Sequence, residues 1–355
     1  MRIIHTSDLH LDSPLTTRLD SNKVKERKGE LLLSFKRLAE MAEAEGAEAF
    51  IIAGDLFDSE RIGKRTLKNT LDIISAHPKV TFLYLAGNHE KTALTRSMLP
   101  LPENIRIFES EWSSFAVGGV NFIGRTETAP NMFESIPTDK ESINVVILHG
   151  EIRDRSDFGG VIGKGELAGR SIDYLALGHY HSYAETDIDP THRAVYSGTP
   201  EGRGFDEYGK KGCVIIDING RVVSHRFAET AYRTLYVKEI DVSDADSDIA
   251  AVYKIEKELY GVKRGDLVRV KLVGTRKLGR SFDTDTMLSS FSSAYYYAEI
   301  KDETRLLISA DDFKNDISLK GEFIRSVIED DTLSDKEKEA VINLGLNVLM
   351  EEVKK

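Results

Sequence analysis

Met1-Arg-Ile-Ile-His-Thr-Ser-Asp-Leu-His-Leu-Asp12 opens the chain, and its reading decides the fold. Arg2 to Thr6 reads as a short buried strand that runs straight into Asp8 and His10. Residues two apart on an extended chain point to the same side. A hard carboxylate and a borderline imidazole would then face one point in space, which is the beginning of a metal site. An isolated Asp-x-His is most often a pair of polar loop residues. Here it gains meaning because four later strands end in the same kind of chemistry.

Working outward, Leu31, Phe35, Leu38 and Ala42 recur at helical spacing, and Gly46 is a C-terminal stop. Ala49 to Ala53 is an apolar run of the kind buried on both faces, and it ends in Gly54-Asp55-Leu56-Phe57-Asp58. A helix from about Lys64 to Ala76 leads to a strand, Val80 to Leu85, that ends in Gly87-Asn88-His89-Glu90. This β-α-β-α-β order predicts a parallel core. Ile105–Phe108, Ser114–Val117 and Val120–Gly124 follow as short strands, the last two joined by Gly118-Gly119 as a hairpin. Asn144–Leu148 ends in His149-Gly150, and Asp173–Leu177 ends in Gly178-His179-Tyr180-His181. Val195–Ser197 precedes a glycine-rich loop, and Cys213–Ile218 turns at Asn219-Gly220 into Val222–Phe227. The predicted architecture is α/β, an α+β sandwich of two sheets with helices outside.

The composition changes after this point. Strand, helix, strand, helix, strand between Thr234 and Lys301 reads as a small α+β unit, and a helical tail follows. The expected domains are 1–230, 231–305 and 306–355. In the tail, Ser334-x-x-Glu337 is a capping box, and Ile342, Leu346, Leu349 and Val353 form one stripe widened by Val341 and Val348. That stripe suits either docking on its own domain or a partner.

The 355 residues are 41% hydrophobic and 30% charged, ordinary for a soluble globular protein. The net charge of −11 does not announce a nucleic-acid binder, and a phosphate-rich substrate would need metal ions or a partner to offset repulsion. The single cysteine, Cys213, excludes an internal disulfide and a cysteine-based zinc site. Met1 leads directly into the first strand and no apolar run is long enough for a bilayer, so the cytoplasm is the expected compartment, without membrane attachment.

Five strand ends therefore deliver Asp8 and His10, Asp55, Asn88 and His89, His149, then His179 and His181. Carboxyl ends of strands are where α/β sheets gather ligands. Each residue alone has a structural explanation as a turn or cap residue, but no folding requirement places all of them at successive strand ends. Oxygen and nitrogen donors without thiolate suit manganese first, with iron, zinc or cobalt as alternatives, and not calcium. About seven ligands suit two ions, bridged by a carboxylate, and such a pair activates water and clamps the oxygens of an in-line phosphoryl displacement. Hydrolysis of phosphate esters is the leading reaction class. His89 is placed to protonate the leaving oxygen or stabilise the transition state, and Glu90 to orient its ring.

Asp8-Leu-His10, Gly54-Asp55, Gly87-Asn88-His89-Glu90, His149-Gly150 and Gly178-His179-x-His181 resemble, in order, the motif series of the calcineurin-like metallophosphoesterases. The resemblance implies one metal on Asp8, His10, Asp55 and His181. It implies a second on Asp55, Asn88, His149 and His179, with Asp55 bridging and His89 as catalytic acid. Thr6 to Pro14, Gly54 to Asp58 and Tyr196-Ser-Gly-Thr-Pro200 further resemble the SbcD-like and YhaO-like DNA-repair exonuclease subunits. That family implies exonuclease and endonuclease action on DNA, a homodimer, a capping domain, and an SMC-type ATPase partner of SbcC or YhaN type bound through C-terminal helices.

Candidate phosphate contacts are Lys64, Arg65 and Lys68, Arg153 and Arg155, Arg203, Lys210 and Lys211, and, in the second unit, Arg276, Lys277 and Arg280. Each is more often a solvated charge. Tyr295, Tyr296 and Tyr297 could stack on bases, although alternate packing in a strand suits at least two of them. The competing activities are a phosphodiesterase or phosphatase acting on small nucleotides or phosphoproteins, and a non-catalytic scaffold. Against a Ser/Thr protein phosphatase, Asp58 is followed by Ser59 and Glu60 where those enzymes carry Arg-Gly. Against a scaffold, the ligand set is complete.

Overall fold

The opening strand, β1 (Arg2–Thr6), lies inside a six-stranded sheet. Its faces explain its sequence. Ile3 packs into a core shared with a second sheet, while Ile4 packs under helices on the outside, so both faces are dry and no polar alternation is needed. The computed structural model describes residues 1–355 apart from 16–18, 93, 96–98, 130, 156–159, 190–191, 278–279, 308–312, 314, 335–336, 339, 343 and 346–355. The chain divides into two units, Met1–Leu235 and Tyr236–Lys355.

In the first unit, α1 (Ser21–Ala44) connects β1 to β2 (Ala49–Ala53), and α2 (Lys64–Ser75) connects β2 to β3 (Thr81–Leu85). β4 (Ile105–Phe108) completes a parallel run β1-β2-β3-β4. The Asp20 side chain accepts from the N–H groups of Asn22 and Lys23 and starts α1, and left-handed Gly46 follows its end. Leu31, Phe35, Leu38 and Ala42 are all buried against the sheet, as their spacing requires.

The second sheet holds β5 (Ser113–Val117), β6 (Val120–Gly124) and β7 (Ile143–His149); a separate small pair, β8 (Glu151–Arg153) with β9 (Val161–Gly163), and α3 (Lys164–Leu167) then lead to β10 (Tyr174–Gly178), which rejoins that sheet. β11 (Ala184–Asp187) and β12 (Arg193–Tyr196) complete its order β11-β12-β10-β7-β6-β5. The chain then returns to the first sheet as the hairpin β13 (Gly212–Asn219) and β14 (Val222–Glu229), which pairs antiparallel beside β1. Ile51, Leu83, Val145, Ile147, Ala176, Val195, Val214 and Ile216 fill the space between the sheets. The two-sheet sandwich with outer helices is the architecture expected from sequence. The short strands β8, β9 and β11 were not legible, because three or four residues carry too little periodicity.

The second unit contains β15 (Leu235–Asp241), β16 (Leu267–Val273) and β18 (Tyr297–Asp302) in one sheet, with α4 (Asp248–Glu258) and α5 (Thr284–Phe291). Ile255, Leu259, Met287 and Phe291 pack with Val268, Val270 and Leu272 as its core. A small pair, β17 (Thr275–Lys277) with β19 (Arg305–Leu307), and α6 (Leu319–Ile328) follow. Ser334 and Glu337 form the expected capping box: the Ser334 N–H donates to Glu337 Oε2 at 2.8 Å. Ile342 is buried, but Leu346, Val348, Leu349 and Val353 lie outside the described residues. No helix among the described residues is long and apolar enough to cross a membrane.

Burial makes one strand residue a pH sensor of stability. His5 is fully buried, with Nδ1 3.1 Å from Tyr174 Oη. Burial pushes its pKa down to about 3 against the contrary pull of the Leu177 backbone, with the charge of His225 adding to the fall. A folded-state pKa below the unfolded value of about 6.5 gives stability that is complete above 6.5 and lost as pH falls through the window toward 3. Acidification from pH 7 to pH 5 is expected to cost about 2 kcal/mol at this residue. Urea midpoints measured across that range should fall more steeply for the native chain than for His5→Gln. Identical slopes would contradict the assignment.

Candidate metal centre

The carboxyl ends of β1, β2, β3, β7 and β10 release the chain into the five motifs. The local conformation corrects the expectation from alternation. Asp8 and His10 are not extended: both are left-handed, with φ of 53° and 45°, as are Asp55 (51°) and His179 (105°). Such backbone costs of order 1–3 kcal/mol per residue and clusters at functional sites. Asp8 and His10 converge because the chain coils beside the following motif. The N–H groups of Asp8, His10 and Leu11 donate to the carbonyls of Gly54, Asp55 and Leu56 at 2.9–3.0 Å, which holds the coil in place. Glycine at 54 is required twice over. Its φ is +90°, and a Cβ there would collide with the ring of His149.

Asp8, His10 and His181 offer donor atoms within 4.8 Å of one another, and so do Asp8, Asp55 and His149. Asp8 is common to both groups, and Asp55 Oδ2 reaches a nitrogen of each, 3.7 Å from His10 Nε2 and 3.3 Å from His149 Nε2. His10 Nε2 and His181 Nε2 are 3.3 Å apart, and His181 Nε2 is 3.8 Å from Asp8 Oδ1. Asn88 Oδ1 is 3.0 Å from His149 Nε2. The His179 ring stands at the rim, 5.4 Å from that of His149, while its N–H donates to both oxygens of Asp8 at 3.1 Å. Ligands bound at about 2.1 Å in tetrahedral geometry are separated by roughly 3.4 Å, so these spacings fit ions held between them.

The electrostatics agree. Burial pushes the Asp55 carboxyl up, yet hydrogen bonding to and charge on His149, with His10, hold it at about 2. Burial pushes His149 down, but Asp55 and Asp8 raise it to about 9. A field that favours an extra proton on a buried imidazole equally favours a cation in that proton's place. The donor set therefore fits a two-metal centre.

His89 follows Asn88, and its N–H donates to Asp55 Oδ1 at 3.1 Å. Its Nδ1 lies 3.1 Å from the carbonyl of Asp58, and its ring meets that of His10 edge-on at 4.9 Å. A carbonyl accepts only, so the proton on Nδ1 is fixed and Nε2 is left for chemistry.

Glu90 does not orient His89, contrary to expectation. It is fully buried and points the other way, accepting from the N–H of Leu56 at 2.7 Å and from that of Phe57. Burial, then the charge of Asp55, raise its pKa to about 8 against those two N–H groups. Glu90 braces the loop that carries Asp55. Glu90→Ala leaves two buried N–H groups unpaired and should cost roughly 2–4 kcal/mol in urea unfolding. A loss below about 1 kcal/mol would argue against the brace.

The basic candidates divide. Arg203 is mostly buried and pairs with Asp58 at 2.9 Å and Glu207 at 2.5 Å, so it is part of the site wall. Arg153 pairs with Glu151 at 2.7 Å and Lys210 with Glu229 at 2.5 Å. Lys211 is buried and donates to the carbonyl of His181 at 2.5 Å. Lys68 pairs with Asp72, whereas Lys64 and Arg65, exposed at the start of α2, have no ion-pair partner among the described residues. In the second unit, Arg280 pairs with Asp248 and lies over the Phe282 ring, Tyr295 packs against Phe291, and Tyr297 Oη donates to Glu299. Sequence reading missed Glu207, which touches His181, and the contact of Asp58 with His10. Asp58 was visible in the second motif, but nothing in spacing ties Glu207 to the site.

Residues 1–208 match the family model described as calcineurin-like phosphoesterase. The chain belongs to this family. It is a metal-dependent hydrolase of phosphate esters with a two-metal site. Among curated relatives it is 26% identical over 297 residues to the metallophosphoesterase YhaO of Bacillus subtilis, covering 77% of this chain and 71% of that one. It is 21% identical over 321 residues to the DNA double-strand break repair protein Mre11 of Sulfolobus acidocaldarius, covering 84% and 81%. With Mre11 of Methanopyrus kandleri it shares 25% identity over 308 residues, covering 76% and 64%. This calcineurin-like phosphoesterase is thus related to the YhaO and Mre11 proteins.

Proposed function

We propose that this phosphoesterase hydrolyses DNA phosphodiester bonds as an exonuclease, with endonuclease capacity, in cytoplasmic DNA repair. The observation that carries the phosphodiester chemistry is Asp55 Oδ2, placed between His10 Nε2 and His149 Nε2 with His89 beside it. The DNA assignment is supported by the likeness to Mre11 over 321 residues, a span longer than the family model's 208. Asp8, His10, Asp55 and His181 would hold one ion and Asp55, Asn88, His149 and His179 the other. Manganese is the proposed ion, and iron, zinc and cobalt also suit this oxygen and nitrogen set. When bound, the pair supplies an activated nucleophile and neutralises charge on the phosphate. His89, with Nδ1 committed to the Asp58 carbonyl, delivers a proton from Nε2 to the leaving oxygen. In this reading residues 231–305 cap the nuclease unit, the chain forms a homodimer, and residues 306–355 contact an SMC-type ATPase of SbcC or YhaN type.

A cleft of about 950 Å³ opens beside Asn88, His149 and His179, large enough for a nucleotide. Its lining includes Lys91, Thr126 and Thr128, but also Glu109, Glu127 and Glu151. Those acids, with the internal pairing of Arg153 and Arg203, favour a second reading in which small nucleotide diesters are the substrate. Hydrolysis with Mn²⁺ of linear duplex DNA, single-stranded DNA and a bis-aryl phosphodiester separates the two. DNA cleavage that vanishes in His89→Ala is the result expected. Turnover of the small diester alone would overturn the DNA reading for the isolated chain.

A further inference from the structure

His10 and His181 face one another through Nε2, and a carboxylate lies within ion-pair distance of the far nitrogen of each ring. His10 Nδ1 is 3.1 Å from Asp58 Oδ1, and His181 Nδ1 is 2.7 Å from Glu207 Oε1. Both carboxylates converge on one guanidinium. Arg203 donates from Nη1 to Asp58 Oδ1 at 2.9 Å, and from Nη2 and Nε to Glu207 Oε1 at 2.5 and 3.0 Å. Its backbone N–H closes on Glu207 Oε2 at 2.7 Å. The arrangement is largely shielded from solvent: side-chain exposures are 14% for Arg203, 22% for Asp58 and 3% for Glu207.

The loop carrying Arg203 and Glu207 is itself anchored. Arg27 on α1 reaches Glu201 at 3.0 Å and the Gly202 carbonyl at 2.6 Å, and Glu201 also accepts the N–H of Tyr232 and Arg233. The other side of the centre is built differently. His149 Nδ1 rests on the neutral carbonyl of Ala53 at 2.9 Å. A carboxylate behind an imidazole raises its basicity and fixes its tautomer more strongly than a carbonyl does.

We propose that Arg203 is a positioning residue that clamps Asp58 and Glu207 onto Nδ1 of His10 and His181, and so sets the affinity of one ion of the pair. That ion is the one facing Asp8, His10 and His181; the one facing Asn88 and His149 is outside the clamp. This inference rests on the two-metal reading of the site. A planar five-donor fork fits two carboxylates at once, which an ammonium does not, so lysine is a partial substitute. Because the His89 ring is held by the backbone carbonyl of Asp58, losing the Asp58 side chain does not by itself remove that ring's partner.

The test is Mn²⁺ binding to the chelator-stripped full chain, by equilibrium dialysis with elemental analysis. The native chain is compared with Arg203→Ala, Arg203→Lys and Glu207→Ala, and each variant's melting temperature is recorded alongside. The native chain should bind two equivalents. In Arg203→Ala one equivalent should weaken roughly 10–100-fold while the other stays within about threefold, and Glu207→Ala should weaken the same class. Arg203→Lys should fall between the native chain and Arg203→Ala. Hydrolysis by Arg203→Ala should need more Mn²⁺ for half-saturation than hydrolysis by the native chain. Equal weakening of both equivalents, or no weakening of either, would overturn the clamp. A native chain that binds fewer than two equivalents would instead sink the two-metal reading on which it stands.

Discussion

Asp55→Ala is expected to release both ions and abolish hydrolysis. Its Oδ2 lies 3.7 Å from His10 Nε2 and 3.3 Å from His149 Nε2, a ligand nitrogen on each side, so losing this carboxylate should weaken both ions together. Stabilisation by a metal pair is worth several kcal/mol, and about 1.4 kcal/mol is tenfold in rate, so kcat should fall by roughly three orders of magnitude or more. Native mass spectrometry reads the occupancy directly. A variant that still carries two metals would rule out the bridge. Asp55→Asn retains one oxygen acceptor for the His89 N–H and should fold well, which separates loss of metal from loss of structure.

His89→Ala gives the second large effect with the opposite signature. His89 groups with His10 and Asp58 and not with Asp8 or Asp55, whose groups are the ones assigned to the two ions, so both ions should stay bound. Removing a general acid costs roughly 10²–10⁴-fold in rate. The loss should depend on the leaving group: large for a deoxyribose alkoxide, which needs a proton, and much smaller for a nitrophenolate, which does not. Equal losses on DNA and on a bis-nitrophenyl diester would remove His89 from the acid role and leave it a binding contribution.

Much of this centre was legible because its signals are local. Each ligand motif follows closely on an apolar run, and the glycines before Asp55, Asn88 and His179 mark places where side chains crowd the backbone. Gly87 shows the reason: a Cβ there would strike the Asp55 carboxylate. The strand runs were readable because burial on both faces leaves β2 and β10 without charged residues and gives β7 the apolar run Val145 to Leu148. What could not be read is conformation and long-range pairing. Alternation assigned Asp8 and His10 to one side for the wrong reason, since both are left-handed. Glu90 was assigned to its neighbour His89, but tertiary structure turns it onto Leu56 and Phe57. Arg203 carries the same charge as any surface cation, and only folding brings it to Asp58, 145 positions earlier.

The most direct measurement of the central claim is anomalous scattering from crystals of the native chain soaked in Mn²⁺. Two peaks about 3.5–4 Å apart, on either side of the Asp55 carboxylate, are predicted. One of them should face Asp8, His10 and His181, and the other Asn88 and His149. A single peak, or a pair in which Asp55 touches only one ion, would contradict the account.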